Sequence, residues 1–83
     1  MNMYLVINFS RTHNCHVVKA SEEDGTSREV ARIFGWVVGG TPSIKVPYFL
    51  PMDALKEIEN VVQREGTGSR SEETVIEIGA SIS

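Results

Sequence analysis

Glu72-Glu73-Thr74-Val75-Ile76-Glu77-Ile78-Gly79-Ala80-Ser81-Ile82-Ser83, at the C-terminal end of the sequence, admits two readings that lead to different folds. Ile76, Ile78, Ala80 and Ile82 alternate with period two, as the inward residues of a half-buried strand do. Val75, Ile78, Gly79 and Ile82 also fit one face of a helix, with Ser71 as its cap. Three isoleucines, a valine and a glycine in so short a segment are poor helix formers. The β-branched side chains lose rotamer freedom against the preceding turn, and glycine loses backbone entropy. A strand is the expected state.

Working back from this segment, Thr67-Gly68-Ser69-Arg70-Ser71 reads as a loop. The clearest helix opens at Pro51 and runs to about Glu65, where Gly66 stops it. Ala54, Leu55, Ile58, Val61 and Val62 form its apolar stripe, and Lys56, Glu57, Glu59, Asn60 and Gln63 its wet face. Ahead of it, Ile44-Lys45-Val46-Pro47-Tyr48-Phe49-Leu50 looks extended, with Ile44, Val46, Tyr48 and Leu50 on one face. Pro47 has no backbone donor, which sends this strand to a sheet edge.

Between Thr26 and Gly39 the pattern predicts another helix. Thr26 or Ser27 can cap it, Glu29 sits in its first turn, and Val30, Ile33, Phe34 and Val37 share one face. Gly35 weakens it by about 1 kcal/mol relative to alanine, and Gly39-Gly40 ends it. The rival reading makes Trp36-Val37-Val38 a strand. Tyr4 to Phe9 and Cys15 to Ala20 are rich in β-formers and flank the polar Ser10-Arg11-Thr12-His13-Asn14, so residues 3–20 read as an antiparallel hairpin. The expected fold is a single small α+β domain over 1–83, in ββαβαβ order, with a mostly antiparallel sheet packed on two helices.

Composition bounds the function classes. The 83 residues are 41 % apolar and 23 % charged, the proportions of an ordinary globular protein. No apolar run approaches the roughly 18 residues that cross a bilayer, so no membrane association is expected. Met1 to Ile7 lacks the basic region and small-residue cleavage site of a secretory signal, and Cys15 is the one cysteine. A short secreted domain usually needs several disulfides, so the cytoplasm is the expected location. Net charge is −3. Arg11, Lys19, Arg28 and Arg32 balance Glu22, Glu23, Asp24 and Glu29, leaving the excess acid to the second half. Nucleic-acid binding through phosphates asks for a basic face, which this distribution does not advertise.

No constellation points to catalysis, a metal or a cofactor. His13, Cys15 and His16 crowd together without the second Cys/His pair that a zinc site uses. A nucleophilic Cys15 needs a lowered pKa and an oriented base, and proximity in sequence supplies neither. Gly35, Gly39 and Gly40 do not follow a strand-to-helix turn, and Glu22-Glu23-Asp24 lacks calcium-loop spacing. The acidic run reads as a solvated turn, or as a phosphate mimic for a basic partner. Trp36, Tyr48 and Phe49 stand out among the rest. An edge strand exposing Phe49 offers a protein-binding surface, since aromatics concentrate at interface hot spots. Burial beneath the two helices is the competing expectation.

From Lys45 onward the chain resembles the ribbon-helix-helix DNA-binding family of repressors and antitoxins. The matching residues are Phe49-Leu50-Pro51, then Leu55, Ile58, Val61 and Val62, then Gly66-Thr67-Gly68-Ser69-Arg70-Ser71-Glu72. The resemblance implies a dimer that lays a two-stranded ribbon in the major groove, a second helix started by Ser69-Arg70-Ser71-Glu72, and Ser43, Lys45, Pro47 and Phe49 towards DNA. Of these, Lys45 has the donor chemistry that base edges require.

The leading expectation is a non-enzymatic protein, monomer or homodimer, that binds and obstructs a protein partner. Small, acidic, cysteine-poor domains of this kind are typical of phage and mobile-element inhibitors, anti-CRISPR proteins among them. The expected contacts are Glu22, Glu23, Asp24, Lys45, Tyr48 and Phe49. A dimeric DNA-binding regulator is the alternative, with no cofactor implied by either.

Overall fold

A computed structural model describes residues 3–22 and 24–78. The N-terminal hairpin forms as its β-rich segments require. Strand β1 (Met3–Ser10) pairs antiparallel with β2 (Cys15–Glu22), in register from Met3↔Glu22 to Ser10↔Cys15. Asn14 takes the left-handed conformation (φ 53°) that closes the turn, a region where asparagine is tolerated better than most residues. The next turn is held by Asp24, whose Oδ1 accepts from the Thr26 amide at 2.9 Å and the Thr26 hydroxyl at 2.7 Å.

That turn leads into a strand where a helix was expected. β3 (Ser27–Phe34) lies antiparallel to β2, with Val18 facing Ala31 and Lys19 facing Glu29. Val30 is the extra residue of a bulge between these pairs, so Val30 and Ala31 are both buried. The bulge shifts the phase of alternation by one residue. Val30 and Ile33, which strict alternation would put on opposite faces, are consequently both buried at the i, i+3 spacing of a helix, while Phe34 falls on the open face. Trp36-Val37-Val38 is not a strand either, and belongs to a loop.

β4 spans Ser43–Lys45 and pairs with β3, with Lys45 facing Arg32 and Phe34 facing Ser43. The strand ends well before Leu50, because Pro47 cannot donate to a ladder. Helix α1 (Met52–Glu65) begins after Pro51, with Asp53 in its first turn and Arg64 in its last, charges that suit its dipole. Gly66 terminates it at φ 74°, its amide donating to the Val62 carbonyl at 3.1 Å. β5 (Thr74–Ile78) pairs antiparallel with β1, as the isoleucine alternation leads one to expect. Ala80 and Ile82, the rest of that alternation, lie outside the described residues.

The order is thus βββ βαβ, and the described residues form one five-stranded antiparallel sheet, β4-β3-β2-β1-β5, with one helix. The two-helix ββαβαβ arrangement is overturned at β3. α1 lays Ala54, Ile58, Val61 and Val62 on Leu5, Ile7, Val18, Ala20, Ala31, Ile33 and Ile76 of the sheet. Each large side chain buried here contributes about 1.5–3 kcal/mol. No helix among the described residues is long and apolar enough to cross a membrane. The opposite, open face of the sheet is where the polar side chains of β2, β3 and β4 gather.

Candidate protein-binding surface

The segment between β4 and α1 turns apolar side chains outward. Leu50 is buried and anchors it, whereas Tyr48 is 59 % exposed, Phe49 84 % and Met52 65 %. Val46 is also exposed. The alternating face expected for Ile44, Val46, Tyr48 and Leu50 therefore breaks after Lys45, where the strand stops and the chain loses its two-residue period. Exposure of Tyr48 and Phe49 is the outcome, not burial beneath two helices.

Residues 45–48 overhang the open face and enclose a groove of about 460 Å³ with Glu29, Arg32 and Phe34. Its floor is an ion pair. Arg32 Nε donates to Glu29 Oε2 at 2.6 Å and Nη2 to Oε1 at 3.2 Å. These bonds hold the Glu29 carboxyl below the ordinary glutamate range and push the Arg32 guanidinium higher still. Lys45 stands directly across the ladder from Arg32 and has no carboxylate partner among the described residues. Two like charges in that position repel, so Glu29 neutralises one cation and leaves the other unmatched.

On the far side of Glu29 a second hollow, of about 340 Å³, is lined by residues including Asn8, His13, Val17 and Lys19. Cys15 lies buried on the same face, and that burial raises its thiol pKa above the ordinary value. This is the opposite of the lowered value a thiolate nucleophile requires. His16 points to the other face, towards the core, so Cys15 and His16 do not converge. His13 sits exposed in the β1–β2 turn.

His16 instead holds a distant loop. Its ring is buried edge-to-face between Phe9, 5.2 Å away, and Trp36, 5.0 Å away. Its Nε2 lies 3.1 Å from the Ser69 carbonyl, which as an acceptor sets the tautomer with the proton on Nε2. The Gly68 amide donates to the Trp36 carbonyl at 3.0 Å, and the Arg70 guanidinium lies 4.7 Å over the Phe9 ring.

The expected contact residues divide into two groups. Lys45, Tyr48 and Phe49 come together on the loop just described. Glu22 lines a separate hollow of about 250 Å³ with Met3, Ala20, Thr26, Ser27 and Arg28. Asp24 is engaged by Thr26, whose hydroxyl and amide bonds keep its carboxyl below the ordinary range. Glu23 lies outside the described residues. Sequence reasoning missed Arg32, Glu29 and Phe34 as site residues because it placed them on a helix. The signal available was the alternation of Ala31 and Ile33 with Arg32 and Phe34. Met52 was missed because it precedes the apolar stripe of α1.

The residues that carry the ribbon-helix-helix resemblance fall on the loop after β4, on α1 and on the loop before β5. A short strand precedes α1, Pro51 stands at its start, and Ser43 and Lys45 share the open face. Pro47 and Phe49 lie beyond the strand, and the segment given to a second helix runs as β5 through Ile78. Comparison with known proteins finds no matching family model, no matching curated protein and no matching solved structure.

Proposed function

We propose that the protein is a non-enzymatic binding module that obstructs a protein partner, and that the loop from Val46 to Met52 makes the contact. The observation that carries this reading is the exposure of Tyr48 and Phe49 in the loop, and of Met52 at the start of α1, beside a charged groove. Exposed aromatic anchors rimmed by polar groups have the composition of interface hot spots. β4 and the start of α1 hold the loop at its two ends and buried Leu50 anchors it between them, which lowers the ordering cost of docking. Such a surface works by occlusion, as small inhibitors of phage and mobile elements do.

A photo-crosslinking phenylalanine at position 49, with the same probe at exposed Glu59 as control, tests the reading in the host cell. One protein adduct specific to position 49, and lost on Tyr48→Asp, is expected. Adducts no stronger than at position 59 would remove the loop from the proposal, and transfer to DNA would favour the regulator reading.

A further inference from the structure

The register of the sheet sorts the charges of the open face. Lys45 faces Arg32, Arg32 faces Val17, and Val17 faces Asn8 across successive ladders. Asn8 Nδ2 then donates to Glu73 Oε2 at 3.2 Å, just ahead of β5. This row therefore runs cation, cation, apolar, amide, carboxylate from one edge of the sheet to the other. The neighbouring row is Glu29, Lys19, Val6 and Val75, and the one beyond it includes Ser21, Tyr4 and Glu77. The half made by β2, β3 and β4 thus presents Lys19, Arg32 and Lys45 against Glu29. The half made by β1 and β5 presents Glu73 and Glu77 without a lysine or arginine.

A surface whose charge runs from positive to negative along one direction complements itself when turned end for end. We propose that two copies of this chain pack open face on open face, about a two-fold axis parallel to the strands and passing through β2. β2 is the middle strand of the order β4-β3-β2-β1-β5, so this rotation lays β4 over β5 and β3 over β1 of the other copy. Positions along the strands are unchanged by it. Lys45 then meets Glu73 of the other copy and Arg32 meets Asn8, with buried Val17 at the axis.

The shape of the face suits this occupant. Val75, 56 % exposed, lies one row from Glu73 and enters the groove walled by Val46 and Tyr48. Half-buried Tyr4, Val6 and Phe34 supply further apolar area. Lys19 comes near its own counterpart at the axis, but Glu29 already faces it across the ladder. Two sheets in this relation form an aligned sandwich about 10 Å apart, with both helices outside. A sheet with one covered face gains the second apolar layer that a domain of this size lacks. The pairing shares Val46 and Tyr48 with the docking loop and leaves Phe49 and Met52 to the protein partner, since neither of these lines the groove.

The test is sedimentation equilibrium of the full chain at low and high salt. Wild type is expected to dimerise, more weakly as salt rises. Lys45→Glu and Glu73→Lys each set like charges together and are expected to weaken the dimer by about tenfold or more. The double swap K45E/E73K restores attraction in the reversed sense and returns the affinity towards wild type. Both residues are exposed, and circular dichroism checks that each variant stays folded. A monomer throughout, a dimer indifferent to either reversal, or two weakened single variants without rescue would each overturn the proposal.

Discussion

At the scale of single residues, Gly68 shows how close the loop before β5 comes to the core. A Cβ built there would collide with Trp36 Cε3 and lie 2.8 Å from His16 Cε1, both ring atoms of buried side chains. Both rings are hemmed in, since His16 packs edge-to-face between Phe9 and buried Trp36, and the bond from the Gly68 amide to the Trp36 carbonyl keeps the loop close. Gly68→Ala is expected to destabilise the fold by about 1–3 kcal/mol, the usual cost of overpacking a core. Urea unfolding followed by the fluorescence of Trp36 measures it, with Val38→Ala, at an exposed loop position, as the unchanged control. In the sequence this glycine looked like any loop residue. Its role depends on a contact 32 positions away, between Gly68 and Trp36, which no local pattern encodes. The same holds for the site. Lys45, Tyr48 and Phe49 were legible as chemistry, but the Arg32–Glu29 pair that floors their groove became visible only with the register of β3.

At the scale of elements, legibility followed local chemistry. α1 was readable because Pro51, Gly66 and an apolar stripe agree, and its packing can be tested in isolation. Ile58 is wholly buried on the stripe, while Glu59 beside it is exposed. Ile58→Ala should cost about 2–5 kcal/mol, the range for truncating a large aliphatic core residue. Glu59→Ala should stay within about 0.5 kcal/mol, as surface changes usually do. Equal effects in chemical denaturation would mean that this face of the helix does not pack on the sheet. β5 was readable because its β-branched residues favour a strand and disfavour a helix. β3 was not, since its bulge puts Val30 and Ala31 side by side on the buried surface and breaks the two-residue period. Thr26, Ser27 and Glu29 then supplied convincing capping chemistry for a helix that does not form. The extended reading of residues 44–50 failed in part for a simpler reason, Pro47, whose missing donor marks the place beyond which pairing cannot run.

At the scale of the whole molecule, the two edges of the sheet differ in kind, and this predicts where the fold opens. β4 has three residues, lies between Pro42 and Pro47, and pairs on one side with β3. β2 has neighbours on both sides along its length and carries Val18, which is wholly buried. Local opening costs least where few ladder bonds and little apolar area must be given up. Amide hydrogen exchange should therefore be fastest in β4, slower in β5, and slowest in β1, β2 and the paired positions of β3. Val30 is an informative exception to follow, because a bulge residue has no partner across the β2 ladder. Its amide should exchange faster than that of Ala31 although both side chains are buried. Residue-resolved exchange at low protein concentration reads this order. Amides of β4 that outlast those of β2 would be incompatible with the strand order β4-β3-β2-β1-β5. Equal protection of Val30 and Ala31 would leave the strand order standing and remove the bulge, which is the feature that separates this fold from the helical pattern its sequence displays.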